Sequence, residues 1–459
     1  MKKSLFLGFF AVVSLSMSAQ SLSPEVLGRI QALQQPNPTD RAIHNALAAG
    51  DVSALATNHA NQGEMDTYLN YSVNSRGITD QKGSRRCWLF TGLNVLRAQM
   101  MRQHRLKETI EFSEVYLFFY DQLEKSNLFL QAVIDTRSKA MDDKTVEWLF
   151  KNPLSDGGTF TGVADLTAKY GVVPAGVMPE TYASNNTSRF TSLVKRKLRE
   201  DGVRLRSAEK GADLQAMKEE MLAEIYHMLV LGFGEPVKEF EWAPKDKEGR
   251  YLSKPKTYTP QKFYAEFLGN DLQNDYIMLM NDPTRDYWKT YEIEYNRHTY
   301  DGHNWRYLNL PLEDIKEMAI ASIKDSTMMY FSCDVGKELD RERGLLDLRN
   351  YDYGSIFGVT FGMDKADRIR TFDSGSSHAM TLMAVRTDDK GVPLMWKVEN
   401  SWGATSGYQG HIIMTDEWFN EYMFRLVIHK KYAPTKVSKA AKKKPIMLPC
   451  WDPMFASEE

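Results

Sequence analysis

The stretch Gln81-Lys-Gly-Ser-Arg-Arg-Cys87-Trp88 sets a glutamine six residues before a cysteine. The cysteine opens an apolar-periodic run, Cys87-Trp-Leu-Phe-Thr-Gly-Leu-Asn-Val-Leu-Arg-Ala98. That run predicts a helix with the thiol in its first turn. There the positive end of the helix dipole favours the thiolate, the form that attacks a carbonyl carbon. Far downstream come Ser377-His378-Ala379-Met380 and Glu399-Asn400-Ser401-Trp402-Gly403. A histidine can take and return the thiol proton, and an asparagine can hold that histidine in one tautomer. The Gln81 side-chain amide, with the backbone N–H of Cys87, can donate to a developing oxyanion. Taken singly, each residue has a plainer explanation: a core cysteine, a structural histidine, an asparagine in a turn. The order, the Gln-to-Cys spacing and the tryptophans at 88 and 402 favour the catalytic explanation when all are taken together.

The 459 residues suffice for a large core and two or three domains. A hydrophobic content of 42% with 26% charged residues is that of a globular chain. The net charge of −2 and pI near 6.5 give no global pull toward nucleic acid or anionic membrane. Cys87, Cys333 and Cys450 are the three cysteines, an odd number that cannot all pair. The N-terminus starts Met1-Lys2-Lys3, continues with an apolar run from Leu5 to Val13 and reaches Ala19 through small and polar residues. This pattern predicts a secretory signal peptide over 1–19, too short to span a bilayer comfortably, and hence export to the periplasm or the medium.

Residues 20–60 are polar with scattered apolar positions and are expected to form an N-terminal arm. Residues 61–185 form a helical lobe carrying the nucleophile. In it Ser113 caps a second helix, and Asp156-Gly157-Gly158 is a loop followed by a helical run to Tyr170 and a Gly171 stop. Residues 186–355 are charged and mostly helical, as in the periodic segment Leu214 to Leu231, with strand-like pieces at Tyr276–Met280 and Met328–Ser332. Residues 356–435 read as a β-rich lobe carrying His378 and Asn400, with strands expected near Ser377–Val385, Leu394–Glu399, His411–Met414 and Phe424–Ile428. Residues 436–459 are a basic linker, read as a solvated spacer, and an aromatic, acidic tail. The fold class expected is α+β.

Beyond the candidate catalytic residues, the chain resembles the bleomycin hydrolase and bacterial aminopeptidase C family of papain-like cysteine peptidases. The likeness is carried by Asp156-Gly-Gly, Lys169-Tyr-Gly-Val-Val-Pro174, Pro179-Glu-Thr-Tyr182, Asn281-Asp-Pro283, Cys333-Asp-Val-Gly-Lys337, His378-Ala-Met-Thr381, Val398-Glu-Asn-Ser-Trp-Gly403, Met414-Thr-Asp-Glu-Trp-Phe419 and Leu448-Pro-Cys-Trp-Asp-Pro-Met454. It runs from about residue 60 onward. The resemblance implies a papain-like two-lobe fold with helical insertions, peptide substrates and a homohexameric assembly. It further implies Cys87 as nucleophile, His378 as base, Asn400 as orienting residue and Gln81 as oxyanion donor. Gly157 and Gly158 become a backbone partner for the substrate, as glycine allows two backbones to approach closely. By the same resemblance the tail enters the cleft and its terminal carboxylate, on Glu459, meets the substrate's free amine. Trp402 joins the residues expected at the substrate.

Three features depart from that family. Arg85 stands where the family has glycine, and its guanidinium is expected to narrow the cleft or contact substrate carboxylates. The chain ends Phe-Ala-Ser-Glu-Glu, where relatives end in smaller residues, and it carries an export signal. The expected activity is a cysteine aminopeptidase. The alternatives are an endopeptidase or dipeptidyl peptidase on the same scaffold, and a catalytically silent peptide-binding oligomer. His298, Asp301 and His303 lie close in sequence but match no common metal-ligand order, and the mechanism needs no metal or organic cofactor.

Overall fold

The computed structural model describes residues 21–34, 37–75, 77–106 and 108–455. The expected signal peptide over 1–19 and the last four residues, Glu459 among them, lie outside the described residues. The chain divides into a small unit, 1–62 with 351–361, and a large one, 63–350 with 362–459. In the small unit the N-terminal arm is helical, at Pro24–Ala32, Asp40–Ala49 and Val52–Ala56. Within that unit the Asp352 N–H donates to the Ala56 carbonyl at 2.7 Å.

The large unit has a helical half and a sheet half. Its helical half is built on α1 (Cys87–Gln103), α2 (Glu114–Asp135), α3 (Phe160–Tyr170), α4 (Thr187–Ser207) and α5 (Leu214–Phe233). Ser113 caps α2 by accepting from the Tyr116 N–H at 3.2 Å. Gly171 ends α3 with φ of 74°, in the left-handed region where a side chain is strained. Leu89, Leu93, Leu96, Phe118, Phe119, Leu130 and Val163 are buried between these helices and form the core of this half. Such burial contributes roughly 1.5–3 kcal/mol per large side chain.

The sheet half has β1 (Tyr276–Met280), β2 (Met329–Cys333), β3 (His378–Thr387), β4 (Pro393–Glu399), β5 (His411–Thr415) and β6 (Met423–His429). Among the described residues these belong to a 12-stranded sheet, whose middle runs in the order β1-β6-β2-β3-β4-β5 with every neighbouring pair antiparallel. Leu382, Val398, Ile412, Met414, Trp396 and Phe331 fill the core of this half. The registers Thr381 with Glu399 and His378 with Cys333 bring the ends of β4 and β2 to the start of β3. The edge of the sheet takes Thr290–Ile293 and, beyond it, Ile446–Leu448, paired in parallel.

The segment read as a solvated basic linker is ordered here. Thr435–Ala441 is a short helix that buries Val437 and Ala440. Two apolar residues three apart are enough to seat it, while its lysines face outward. No helix among the described residues is long and apolar enough to cross a membrane.

Candidate active site

Cys87 is the first residue of α1 and is half-buried. His378 opens β3, and Asn400 follows β4 directly. Both are buried. The His378 Nε2 donates to Asn400 Oδ1 at 2.8 Å, and the same oxygen accepts from the Ser401 N–H at 2.8 Å. Two donors on Oδ1 fix the amide orientation and put the imidazole proton on Nε2, leaving Nδ1 as the acceptor. Burial pushes the His378 imidazole down to about 4; the Asn400 bond pulls the other way, and the Arg341 guanidinium adds to the depression. The Trp402 ring lies 4.8 Å from the His378 ring, centroid to centroid.

Gln81 is held from both ends. Its Nε2 donates to the Ser84 carbonyl at 2.7 Å, and its Oε1 accepts from the Ser401 hydroxyl at 2.7 Å. The Gln81 N–H reaches the Ser401 carbonyl at 2.8 Å. One amide proton on Nε2 is left over for a further acceptor. Gly403, with φ of 82°, allows this crossing, because a Cβ there would stand 2.8 Å from Asp80 Oδ2.

A groove of about 230 Å³ gathers Gln81, Arg85, Cys87, Gly157, Gly158 and His378 in one lining. The helical half and the sheet half each supply one wall. Gly158 is packed so closely on Trp88 and His298 that a Cβ would lie 2.3 Å from the His298 ring. Its backbone N–H and C=O make no hydrogen bond among the described residues. Arg85 is exposed at the groove, and Trp402 borders it through His378. A second cavity touches Gly157 and Gly158 from another side and is lined by Cys450 and Trp451 at the base of the tail. That base is anchored by an Arg285–Asp452 ion pair, by Lys144 over the Trp451 ring and by buried Met454.

None of the three cysteines is in a disulfide. Burial raises the Cys333 thiol well above the ordinary range and lifts Cys450 to about 12. The histidines and aspartate noted as neighbours in sequence go to separate partners: His298 to Asp121, His303 to Asp165 and Asp301 to Lys169.

Two supports were not singled out from sequence. Arg86, fully buried beside Cys87, makes a bidentate pair with Glu180 at 3.0 and 2.7 Å. Lys125 donates to the Gly157 and Ser155 carbonyls at 2.7 and 2.9 Å and pairs with buried Asp121. A signal existed for the second: Asp121 and Lys125 stand four apart in one helix, the spacing of a facing pair. Nothing local announces the first, since its partners are 94 residues apart.

The family model described as "Peptidase C1-like family" matches residues 21–455. The chain belongs to that family. Human bleomycin hydrolase is 36% identical over 459 residues, covering 96% of this chain and 100% of the relative. Aminopeptidase C of Lactobacillus delbrueckii subsp. lactis is 37% identical, covering 92% and 95%. The crystal structure of PepW from Lactobacillus rhamnosis HN001 superposes with a TM-score of 0.89 at 34% identity, covering 95% of this chain and 99% of that one. As a Peptidase C1-like family member with a papain-like fold, the protein is a cysteine-type peptidase.

Proposed function

We propose that this peptidase removes N-terminal residues from peptides through a Cys87 acyl-enzyme. The observation that carries the chemistry is the His378 Nε2 to Asn400 Oδ1 bond in a groove shared with Cys87 and Gln81. His378, kept neutral by burial, takes the Cys87 proton at Nδ1. The thiolate attacks the carbonyl carbon, and the oxyanion is met by the remaining Gln81 amide proton and the Cys87 N–H. The imidazolium returns its proton to the leaving amine as the C–N bond breaks. Neutral again, it removes a proton from water, whose oxygen attacks the thioester and releases the acid. Gly158 offers its unengaged N–H and C=O to the substrate backbone.

Restriction to free N-termini is assigned to the tail. Its base is pinned beside Gly157 and Gly158, and the last residues carry two glutamates and the terminal carboxylate. A substrate ammonium against such charge gains roughly 1–4 kcal/mol, depending on local dielectric. The relatives named aminopeptidase C and bleomycin hydrolase support the same reading. The proposal includes export after removal of residues 1–19 and a homohexamer, supported by the basic-apolar start and by the family resemblance. The mature N-terminus by mass spectrometry and the solution mass by light scattering check these two points.

The deciding experiment digests matched free and acetylated peptides with the full chain and with a chain lacking 455–459. Single-residue release from free peptides only, replaced by longer excision or internal cuts after truncation, is expected. Identical sites and rates on all four combinations would replace this reading with an endopeptidase.

A further inference from the structure

Arg341 lies in the turn between the short strands Leu339–Asp340 and Leu345–Leu346. The turn is rigid. The Asp340 carboxylate accepts from the Arg343 N–H at 3.0 Å, and the Asp340 carbonyl accepts from the Gly344 N–H at 2.9 Å. Gly344 sits against the next loop so tightly that a Cβ would stand 2.3 Å from the Tyr408 nitrogen. The Ile413 N–H on β5 binds the Gly344 carbonyl at 2.8 Å. From this platform the exposed Arg341 guanidinium reaches over the Trp402 ring, 5.1 Å from its centroid. Trp402 in turn touches the His378 ring. No carboxylate pairs with Arg341 among the described residues. The groove at Cys87 is lined by Arg85 and Arg425 and by no aspartate or glutamate.

The side of the cleft follows from the chemistry. The acyl part of a substrate lies along Gly157 and Gly158, so the leaving part passes the other way, beyond His378, which must protonate its amine. Trp402 and Arg341 stand there. We propose that Arg341 is a specificity-determining residue that binds a carboxylate on the leaving side of the scissile bond. This rests on the Cys87–His378 mechanism above. A guanidinium matches a carboxylate bidentately. The carboxylate comes either from the free C-terminus of a dipeptide or from an acidic side chain in the first leaving residue.

The test measures kcat/KM on two matched pairs with a common N-terminal residue X. X-Gly against X-Gly-amide reads the terminal carboxylate, and X-Glu-amide against X-Gln-amide reads the side chain. Wild type, Arg341→Gln and Arg341→Lys are compared at low and high salt. The expected result is a preference of about two- to fivefold for the carboxylate member of at least one pair, the range an exposed ion pair supplies. The preference should shrink with salt, fall in Arg341→Gln and be better kept in Arg341→Lys. Equal preference ratios in wild type and Arg341→Gln on both pairs overturn the proposal. If wild type cuts none of these peptides, the proposed aminopeptidase reading falls. The ratio of Cys87 alkylation rates by iodoacetate and iodoacetamide then decides: a drop of that size in Arg341→Gln supports a carboxylate site, and an unchanged ratio overturns it.

Discussion

The two walls of the cleft are held by different physics. On the helical side the reacting groups sit on a loop and a helix start. They are fastened by buried charge: Arg86 with Glu180 beside Cys87, and Lys125 with Asp121 under Gly157. On the sheet side His378 and Asn400 stand at strand ends, held by ladder register and neutral hydrogen bonds. A strand inside a sheet has its backbone placed by its neighbours, so its end residue needs little else. A loop has no such ladder, and fixed charges supply the missing constraint. A third charged pair, Arg97 on α1 with Glu399 beside Asn400 at 2.6 Å, ties one wall to the other.

The largest expected effect removes the reacting groups themselves. Cys87→Ala should abolish turnover in a protein that unfolds like wild type. His378→Ala should cost roughly 10²–10⁴ in kcat/KM, since one imidazole serves as base and acid. Asn400→Ala should cost less, because it orients and does not react. Steady-state assays rank the three, and an Asn400 loss exceeding the His378 loss would contradict the assigned roles.

Next comes the charge on the loop wall. Glu180→Gln takes from the buried Arg86 guanidinium its bidentate, half-buried counter-charge, and such a loss costs up to about 3 kcal/mol. On the other wall Ser401→Ala removes one neutral bond to Gln81, worth about 1 kcal/mol. Chemical denaturation of both variants measures the difference. Equal destabilisation would show that the two walls are not fastened differently.

The protonation of His378 gives a smaller, signed effect. Its pKa is held at about 4 by burial, below the ordinary 6.5. The neutral form accepts the thiol proton, so it persists as pH falls from 6.5, and activity is lost only as pH approaches the depressed value. The acid limb of kcat/KM should therefore lie well below 6.5, as a property of the coupled Cys87–His378 pair. The Asn400 bond raises the His378 pKa, so Asn400→Ala should move the limb further toward acid. A limb at or above 6.5, or one moving upward in that variant, would be the contrary result.

The smallest effect concerns Arg85, exposed in the groove lining. Peptides acidic near the cut should be favoured by about two- to fivefold at low salt, and Arg85→Gly should lower that preference. An unchanged preference profile in Arg85→Gly would show that this guanidinium does not meet the substrate.

Local sequence determined much of this protein. The thiol at a helix start, the cap at Ser113, the stop at Gly171 and the strands before and after Asn400 all follow from residue patterning and chemistry within a few positions. The proposal of Gln81, Cys87, His378 and Asn400 as a catalytic set also came from sequence, from their order and spacing taken together. The apparent linker after 435 defeated the same reasoning, because two buried apolar residues among lysines are a weak local signal. Only the tertiary structure brought Gln81, Cys87 and His378 to one groove, with Asn400 bonded to His378, across more than 300 positions of chain, through the register of β3 with its neighbours and the crossing of Gln81 with Ser401. It alone decided which buried charges are paired, Arg86 with half-buried Glu180 and Arg97 with Glu399, and that Arg341 reaches Trp402. The physical reason is range. Propensity, capping and periodicity act over a turn or two of chain, whereas burial and ion pairing depend on distance in space, which is set only when the whole core has packed.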